Sequence, residues 1–259
     1  MKRKICVTVA LVFCFAILMS ASVCAATYRL SETDLSVRVD DSLWYVFTRD
    51  NIKNNPELDE FEMSYDEMYN ILQSNNAYMD AVLLYEDGEF TELFIRKKQI
   101  EGGVVNLSSY EDSDILAIAK ELAATQGAAT YDLYKNQYKF ARLEYVDSAL
   151  GYYICEFVTI VNGDAYSFTF QASSQFSDWE YEEIDSIIDS IRFEVDASLA
   201  EPETSSFWDT VLEKGIVGAV LGGIGGLVGV LINRKKKKTK ENETPSDNEN
   251  TETEIEKAE

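Results

Sequence analysis

The 259-residue chain contains no histidine, and this absence removes several kinds of chemistry. Serine–histidine and cysteine–histidine nucleophilic sites need an imidazole base, and many zinc sites need histidine ligands. Carboxylates remain as acid–base groups, and a glycosidase needs only two of them. No pair of acids stands out among the many in the sequence. We therefore predict no catalytic residue, no metal ligand and no cofactor.

Cysteine is almost absent once the first 25 residues are set aside. Cys6, Cys14 and Cys24 lie near the N-terminus, and Cys155 is the single cysteine that follows them. One cysteine cannot form an internal disulfide, so the folded part must be held by its hydrophobic core alone.

Basic side chains are also scarce. The formal net charge is −23, and residues 26–233 carry 38 acidic against 13 basic side chains. A surface of this sign repels nucleic acid, whose binding depends on neutralising phosphates. We predict no nucleic-acid partner. Solubility, divalent ions and cationic partners all remain compatible with the charge.

The N-terminus has the pattern of a secretory leader. Lys2, Arg3 and Lys4 precede a largely apolar stretch over residues 5–19, and small residues follow. This pattern predicts a signal peptide over residues 1–25, with cleavage after Ala25. Two alternatives remain: an uncleaved first membrane helix, and attachment of lipid to Cys24.

A second apolar segment lies near the C-terminus. Residues 216–232 carry no charge and would span about 25 Å as a helix, close to the thickness of a bilayer core. We predict a transmembrane helix over residues 214–233. The basic run that follows marks the cytoplasmic side and should lie on anionic lipid. That run consists of Arg234, Lys235, Lys236, Lys237 and Lys238.

The glycines of this span recur every four residues. Gly218, Gly222 and Gly226 would lie on one face of the helix, where a second backbone can approach closely. This spacing suggests a homo-oligomer formed through the membrane. The alternative is that small residues merely fill an apolar span.

These segments define the predicted organisation. A signal peptide over 1–25 precedes an extracellular α/β domain over 26–195. A juxtamembrane segment over 196–213 leads to the transmembrane helix, and a polar tail over 234–259 is predicted to be disordered and cytoplasmic. The predicted location is the cell membrane, crossed once, with the N-terminal domain outside.

Within the domain, three helices are predicted from apolar spacing and capping residues. Ser64 with Glu67, and Ser177 with Glu180, have the spacing of capping boxes. Between them, a helix ends at Gly127 and begins in an acidic cluster. That cluster is formed by Glu111, Asp112 and Asp114, and helix capping is preferred over calcium binding because the spacing of a calcium loop is lacking.

Alternating strands occupy much of the remaining domain. Two hairpins are predicted at Asp87-Gly88 and Asn162-Gly163, and two early strands, or a strand and its return, over residues 35–50. In the second hairpin Thr159, Phe157 and Cys155 should face Tyr166, Phe168 and Phe170. Cys155 is therefore predicted to be a buried hydrophobic residue and not a nucleophile.

The order of these elements and the closing motif resemble the PsbP-like superfamily over roughly residues 35–195. An aromatic strand, a Phe-containing turn and a helix end in Ile187-Ile188-Asp189-Ser190-Ile191-Arg192-Phe193. The resemblance implies an α/β/α sandwich around an antiparallel sheet. It also implies a role in binding or assembly, as for an extrinsic photosystem subunit and a nuclear-import GTPase partner, and it supplies no catalytic residues.

Two functions of different classes follow. The first is a membrane-anchored extracellular binding or assembly module, non-enzymatic, with an unknown extracellular partner. The second is a cell-envelope hydrolase that uses a pair of carboxylates. A convergent pair of acids in a cleft would favour the hydrolase.

Overall fold

The computed structural model describes residues 25–100 and 106–194. Within these ranges the chain forms ten strands and four α-helices, with 3-10 turns at Ile52–Asn54 and Leu107–Ser109. The strands are β1 (Ala26–Leu30), β2 (Leu35–Val39), β3 (Tyr45–Thr48), β4 (Ala77–Leu84), β5 (Phe90–Gln99), β6 (Thr130–Lys135), β7 (Lys139–Val146), β8 (Tyr153–Val161), β9 (Asp164–Ala172) and β10 (Arg192–Phe193). The helices are α1 (Glu57–Glu60), α2 (Tyr65–Ser74), α3 (Asp112–Gln126) and α4 (Asp178–Ser190).

Seven strands form one antiparallel sheet in the order β3-β4-β5-β9-β8-β7-β6. Both predicted hairpins are confirmed. In the second, Asn162 and Gly163 have φ of +52° and +81°, as a two-residue turn between twisted strands requires. The predicted pairing of Cys155 with Phe170 is also confirmed.

A second sheet contains three strands in the order β1-β2-β10. The two strands predicted over residues 35–50 are present as β2 and β3, but they do not pair with each other as a hairpin. β2 pairs with β1 and β10, whereas β3 pairs with β4 at the edge of the large sheet. Asp40 produces the separation, because its side chain and carbonyl oxygen accept hydrogen bonds from Ser42, Leu43 and Trp44 and turn the chain. The sequence analysis did not predict β1.

Three layers pack around the large sheet. On one face, α4 and the small sheet bury an aromatic core that includes Phe157, Phe168 and Phe170. On the other face, α2 and α3 cover separate apolar clusters centred on Phe94 and Val158. The predicted α+β class, with an antiparallel sheet between helices, is confirmed.

The helix ends agree with their predicted chemistry. Both capping boxes form: Ser64 Oγ accepts from Glu67 N, and Ser177 Oγ accepts from Glu180 N. Gly127 ends α3 with φ of +67°, a left-handed conformation that favours glycine.

The predicted membrane and leader segments lie outside the described residues. This applies to the leader over 1–25 except Ala25, to the span over 214–233 with Gly218, Gly222 and Gly226, and to the basic run of Arg234, Lys235, Lys236, Lys237 and Lys238. Within 25–100 and 106–194, no helix combines the length and hydrophobicity needed to cross a bilayer.

Candidate functional site

A groove of about 950 Å³ runs between the small sheet and helix α4. It arises because β10 is only two residues long and leaves the edge of β2 uncovered beyond Ser36. Ser190 fills part of that edge, since its Oγ accepts a hydrogen bond from Arg38 N at 2.9 Å. The rest of the groove is open, so it is a place where a ligand or a partner can reach the domain.

The groove is predominantly acidic. Helix α4 buries Ile184, Ile187 and Ile188, and its polar residues line the groove. The charged lining residues are Asp40, Glu182, Glu183, Asp185 and Asp189, with Arg38 and Arg192 opposing them. Among the described residues, none of the ion pairs joins two charges of this lining. With five acids against two arginines, the lining keeps a net negative charge.

Two of these carboxyls have pKa values above their ordinary range. Partial burial raises the pKa of Glu183, although Trp44 Nε1 donates a hydrogen bond to its Oε1 at 3.3 Å and opposes the rise. Partial burial also raises the pKa of Asp185, and the nearby Arg142 opposes that rise. The groove thus contains two carboxyls with raised pKa values, and further acidic side chains surround them.

Sequence reasoning located this groove only in part. Glu180, Glu182 and Glu183 belong to the predicted helix, but Glu180 faces inward, where its Oε1 accepts from Tyr85 Oη at 2.7 Å and Thr91 Oγ1 at 2.6 Å. Glu182 and Glu183 lie beyond the first turn of α4. The 3.6-residue periodicity of α4 was the available signal, because it places acids opposite the isoleucines.

A second set of acids is buried on the opposite face of the large sheet, in a strip of polar side chains between the α2 and α3 clusters. Asp80, Glu92 and Glu156 are fully buried there. Arg96 lies between them, donating from Nη1 to Thr169 Oγ1 at 3.1 Å, and Thr169 Oγ1 in turn donates to Glu156 Oε1 at 3.1 Å. Because no solvent reaches these carboxylates, a substrate has no path to them in this conformation.

Glu156 is the most perturbed acid of this polar strip. Burial raises its pKa to about 7 from an ordinary 4.5, and the charge of Arg96 offsets part of the rise. Glu156 was not among the residues predicted from the sequence. A signal was present: Glu156 stands between apolar residues in a strand whose alternation places it on an inward face opposite Thr169.

Cys155 faces the aromatic core, as predicted. Its side chain is fully buried, and burial raises the pKa of the thiol to about 12. A thiol in this state is protonated at neutral pH and is a poor nucleophile.

The acidic cluster lies at the start of α3, as predicted, but the side chain at its N-cap position forms no capping hydrogen bond. Asp112 forms ion pairs with Lys135 and Lys139, and hydrogen bonds from these two lysines lower the pKa of Asp112. Glu111 occupies the N-cap position, and Asp114 lies in the first turn. Among the described residues, no group of three or more His, Cys, Asp or Glu side chains has the arrangement of a metal site.

Comparisons with known proteins support the resemblance to the PsbP-like fold and indicate no function. No family model matches the chain, and no characterised protein matches it by sequence. Among solved structures, it is similar to the solution structure of cyanobacterial PsbP (CyanoP) from Synechocystis sp. PCC 6803, at 13% identity and a TM-score of 0.38. That match covers 67% of this chain and 95% of the other. The predicted PsbP-like resemblance is confirmed over part of the chain.

Proposed function

We propose that this chain is a single-pass membrane protein whose extracellular domain binds a partner in the acidic groove between the small sheet and α4. The leader over 1–25 and the apolar span over 214–233, followed by the run from Arg234 to Lys238, support the membrane topology. The groove supports the binding role, because it is open and its acids outnumber its two arginines.

The contrast between the two sets of acids carries this proposal. The buried carboxylates of the polar strip are closed to solvent, whereas those of the groove are accessible. A partner with positive charge facing the groove would gain electrostatic attraction, which chiefly raises the association rate and the specificity.

Photocrosslinking in native membranes tests the proposal. A photoreactive amino acid replaces Ser186 in the groove of the full chain, and Lys120 on α3 in a matched control. We expect a discrete adduct from position 186 that disappears when Asp185→Lys is added, and no such adduct from position 120. Equal adducts from both positions, or an adduct unaffected by Asp185→Lys, would contradict a binding role for the groove.

The predicted alternative, a cell-envelope hydrolase, has one observation in its favour. Glu183 and Asp185 share the groove and both have raised pKa values, and a carboxyl that holds its proton more tightly can serve as a general acid in a hydrolase. The conservative variants Glu183→Gln and Asp185→Asn separate the two functions. A hydrolase would lose turnover in both variants, whereas a binding module has no turnover to lose and keeps its adduct.

A further inference from the structure

Exposed apolar side chains occur at one end of the large sheet, at the ends of several strands. Val146 at the end of β7 pairs with Tyr153 at the start of β8, and Leu84 at the end of β4 pairs with Phe90 at the start of β5. Tyr153 in turn faces Ala172, after which the chain enters α4. The exposed residues at this end, called here the apolar end, are Leu43, Leu84, Val146, Leu150 and Trp179.

The exposure of these five side chains is substantial. Each shows between 42% and 53% of its surface to solvent. Leu84 continues the face of β4 that α2 covers, whereas Val146 lies four strands away on the face that α4 covers. The β4–β5 side of this end, with Leu84 and the start of α4 at Trp179, is therefore the part where an interaction site is considered. Tryptophan is enriched among the anchor residues of protein interfaces, and Trp179 is the tryptophan of this set.

The loops that form the apolar end carry charge of one sign. Residues 40–44, 84–90, 146–152 and 173–179 contain seven acids and no Lys or Arg. Glu86, Asp87 and Glu89 in the second loop are all exposed. The apolar side chains of this end would suit a membrane if they stood alone. The acids beside them would repel an anionic lipid surface.

The apolar end lies at the opposite end of the sheet from the exit of the chain. Glu194 follows β10, and its N–H donates to Asp34 O in the turn between β1 and β2. That turn lies near the start of β9, because Thr33 O accepts from Tyr166 Oη at 2.7 Å. Strand β9 runs from there to the apolar end over nine residues, roughly 30 Å.

We propose that the apolar end docks a cationic amphipathic segment of a partner protein. Apolar side chains of that segment would cover Trp179, Leu84 and their neighbours, and its Lys or Arg side chains would face the acids of the loops. An amphipathic helix with basic residues beside its apolar face has this chemistry. The five apolar side chains are not part of the acidic groove, although Asp40 belongs both to that groove and to the first loop. This inference goes beyond the proposed function, and variants at Leu84 and Glu86, which do not line the groove, test it separately.

The test uses the full chain in nanodiscs of zwitterionic lipid. The probe is a fluorescent peptide of about 18 residues, with Leu on one helical face and Lys on the other. Two comparison peptides replace Lys by Glu, or Leu by Ser. We expect the Lys/Leu peptide to bind with an affinity at least ten times higher than either comparison peptide, and added salt to weaken that binding. No binding above that to empty nanodiscs would overturn the proposal.

Matched variants locate the binding. Leu84→Ser and Glu86→Lys change exposed residues of the apolar end, while Leu116→Ser and Glu121→Lys make the same changes on exposed positions of α3. We expect each of the first pair to lower peptide affinity about tenfold, and the second pair to leave it unchanged. Equal effects of the two pairs would refute docking at the apolar end, as would attachment of the chain to anionic vesicles that Leu84→Ser abolishes.

Discussion

The buried acid Glu156 should make the stability of the domain depend on pH in a direction opposite to that of most carboxylates. Its folded-state pKa of about 7 lies above its ordinary value of 4.5, so the folded state binds this proton more tightly than the unfolded state does. The stabilising contribution is complete below about pH 4.5 and is lost as the pH rises through 7. Stability therefore falls between pH 5 and pH 8.

The magnitude follows from the pKa difference. One pKa unit corresponds to about 1.4 kcal/mol, so this difference lowers the free energy of unfolding by about 3 kcal/mol above pH 8, to order of magnitude. For a domain of this size, 1 kcal/mol moves the melting temperature by roughly 2–4 °C, and the expected fall in Tm is about 6–12 °C. The absence of histidine makes the measurement clean, because no imidazole titrates in the same range.

The perturbation is Glu156→Gln, which keeps the shape and the acceptor for Thr169 but cannot ionise. We expect the full chain in detergent to lose stability from pH 5 to pH 8, and the variant to lose much less. Urea unfolding followed by tryptophan fluorescence measures both, since Trp44 is buried. Glu182→Gln, which removes an exposed carboxyl, is the control. A variant with the same pH dependence as the native chain would refute the reasoning.

Three further predictions address other parts of the chain. Cys155 should resist alkylation until the protein is denatured, because its thiol is buried and protonated; rapid labelling of native protein, or a disulfide-linked dimer on a non-reducing gel, would contradict its placement. Protease added outside cells made permeable at the wall should digest residues 26–213 and spare the tail, and protection of the domain would contradict the topology. In a membrane two-hybrid or energy-transfer assay, Gly222→Ile should weaken self-association of the isolated span while Leu221→Ile does little, since only the former lies on the glycine face; equal signals from the native span and Gly222→Ile would leave the span as a plain anchor.

Local chemistry made most of the secondary structure predictable. Asn162-Gly163 specifies a two-residue turn, and that turn fixes the register that places Cys155 opposite Phe170. Ser64 and Ser177 mark helix starts because their hydroxyls satisfy backbone donors that no helical carbonyl can reach. These signals depend on only a few neighbouring residues, so they can be recognised in the sequence before the fold is known.

Long-range pairing was harder to predict. β2 and β3 are separated by only five residues, yet they belong to different sheets. Strand β10 contains two residues and exists only because the end of α4 returns it to β2. Such short pairings are specified by the packing of distant elements, which leaves little trace in local alternation.

The buried polar strip was missed for a related reason. Arg96 is a basic residue beside Lys97 and Lys98, and sequence alone suggests a solvated strand end. In the fold it is buried, and its guanidinium donates to Asn75 O and Thr169 Oγ1. Only the adjacency of β5 and β9 reveals that acceptors from distant segments surround it.

The apolar end shows how topology converts scattered residues into a surface. In an antiparallel sheet, alternate connections return to the same end, so loops far apart in sequence become neighbours. The connections at 85–89 and 147–152 lie at one end and carry acids, while Arg49, Lys97 and Lys139 lie at strand termini of the other end, mixed with acids such as Glu32 and Asp164. The end near the chain exit thus has charges of both signs, many of them paired, and the far end has unopposed negative charge beside exposed apolar side chains. A cationic amphipathic segment would therefore find apolar contact and charge of opposite sign together at the far end, and not at the end where charges of both signs are already paired.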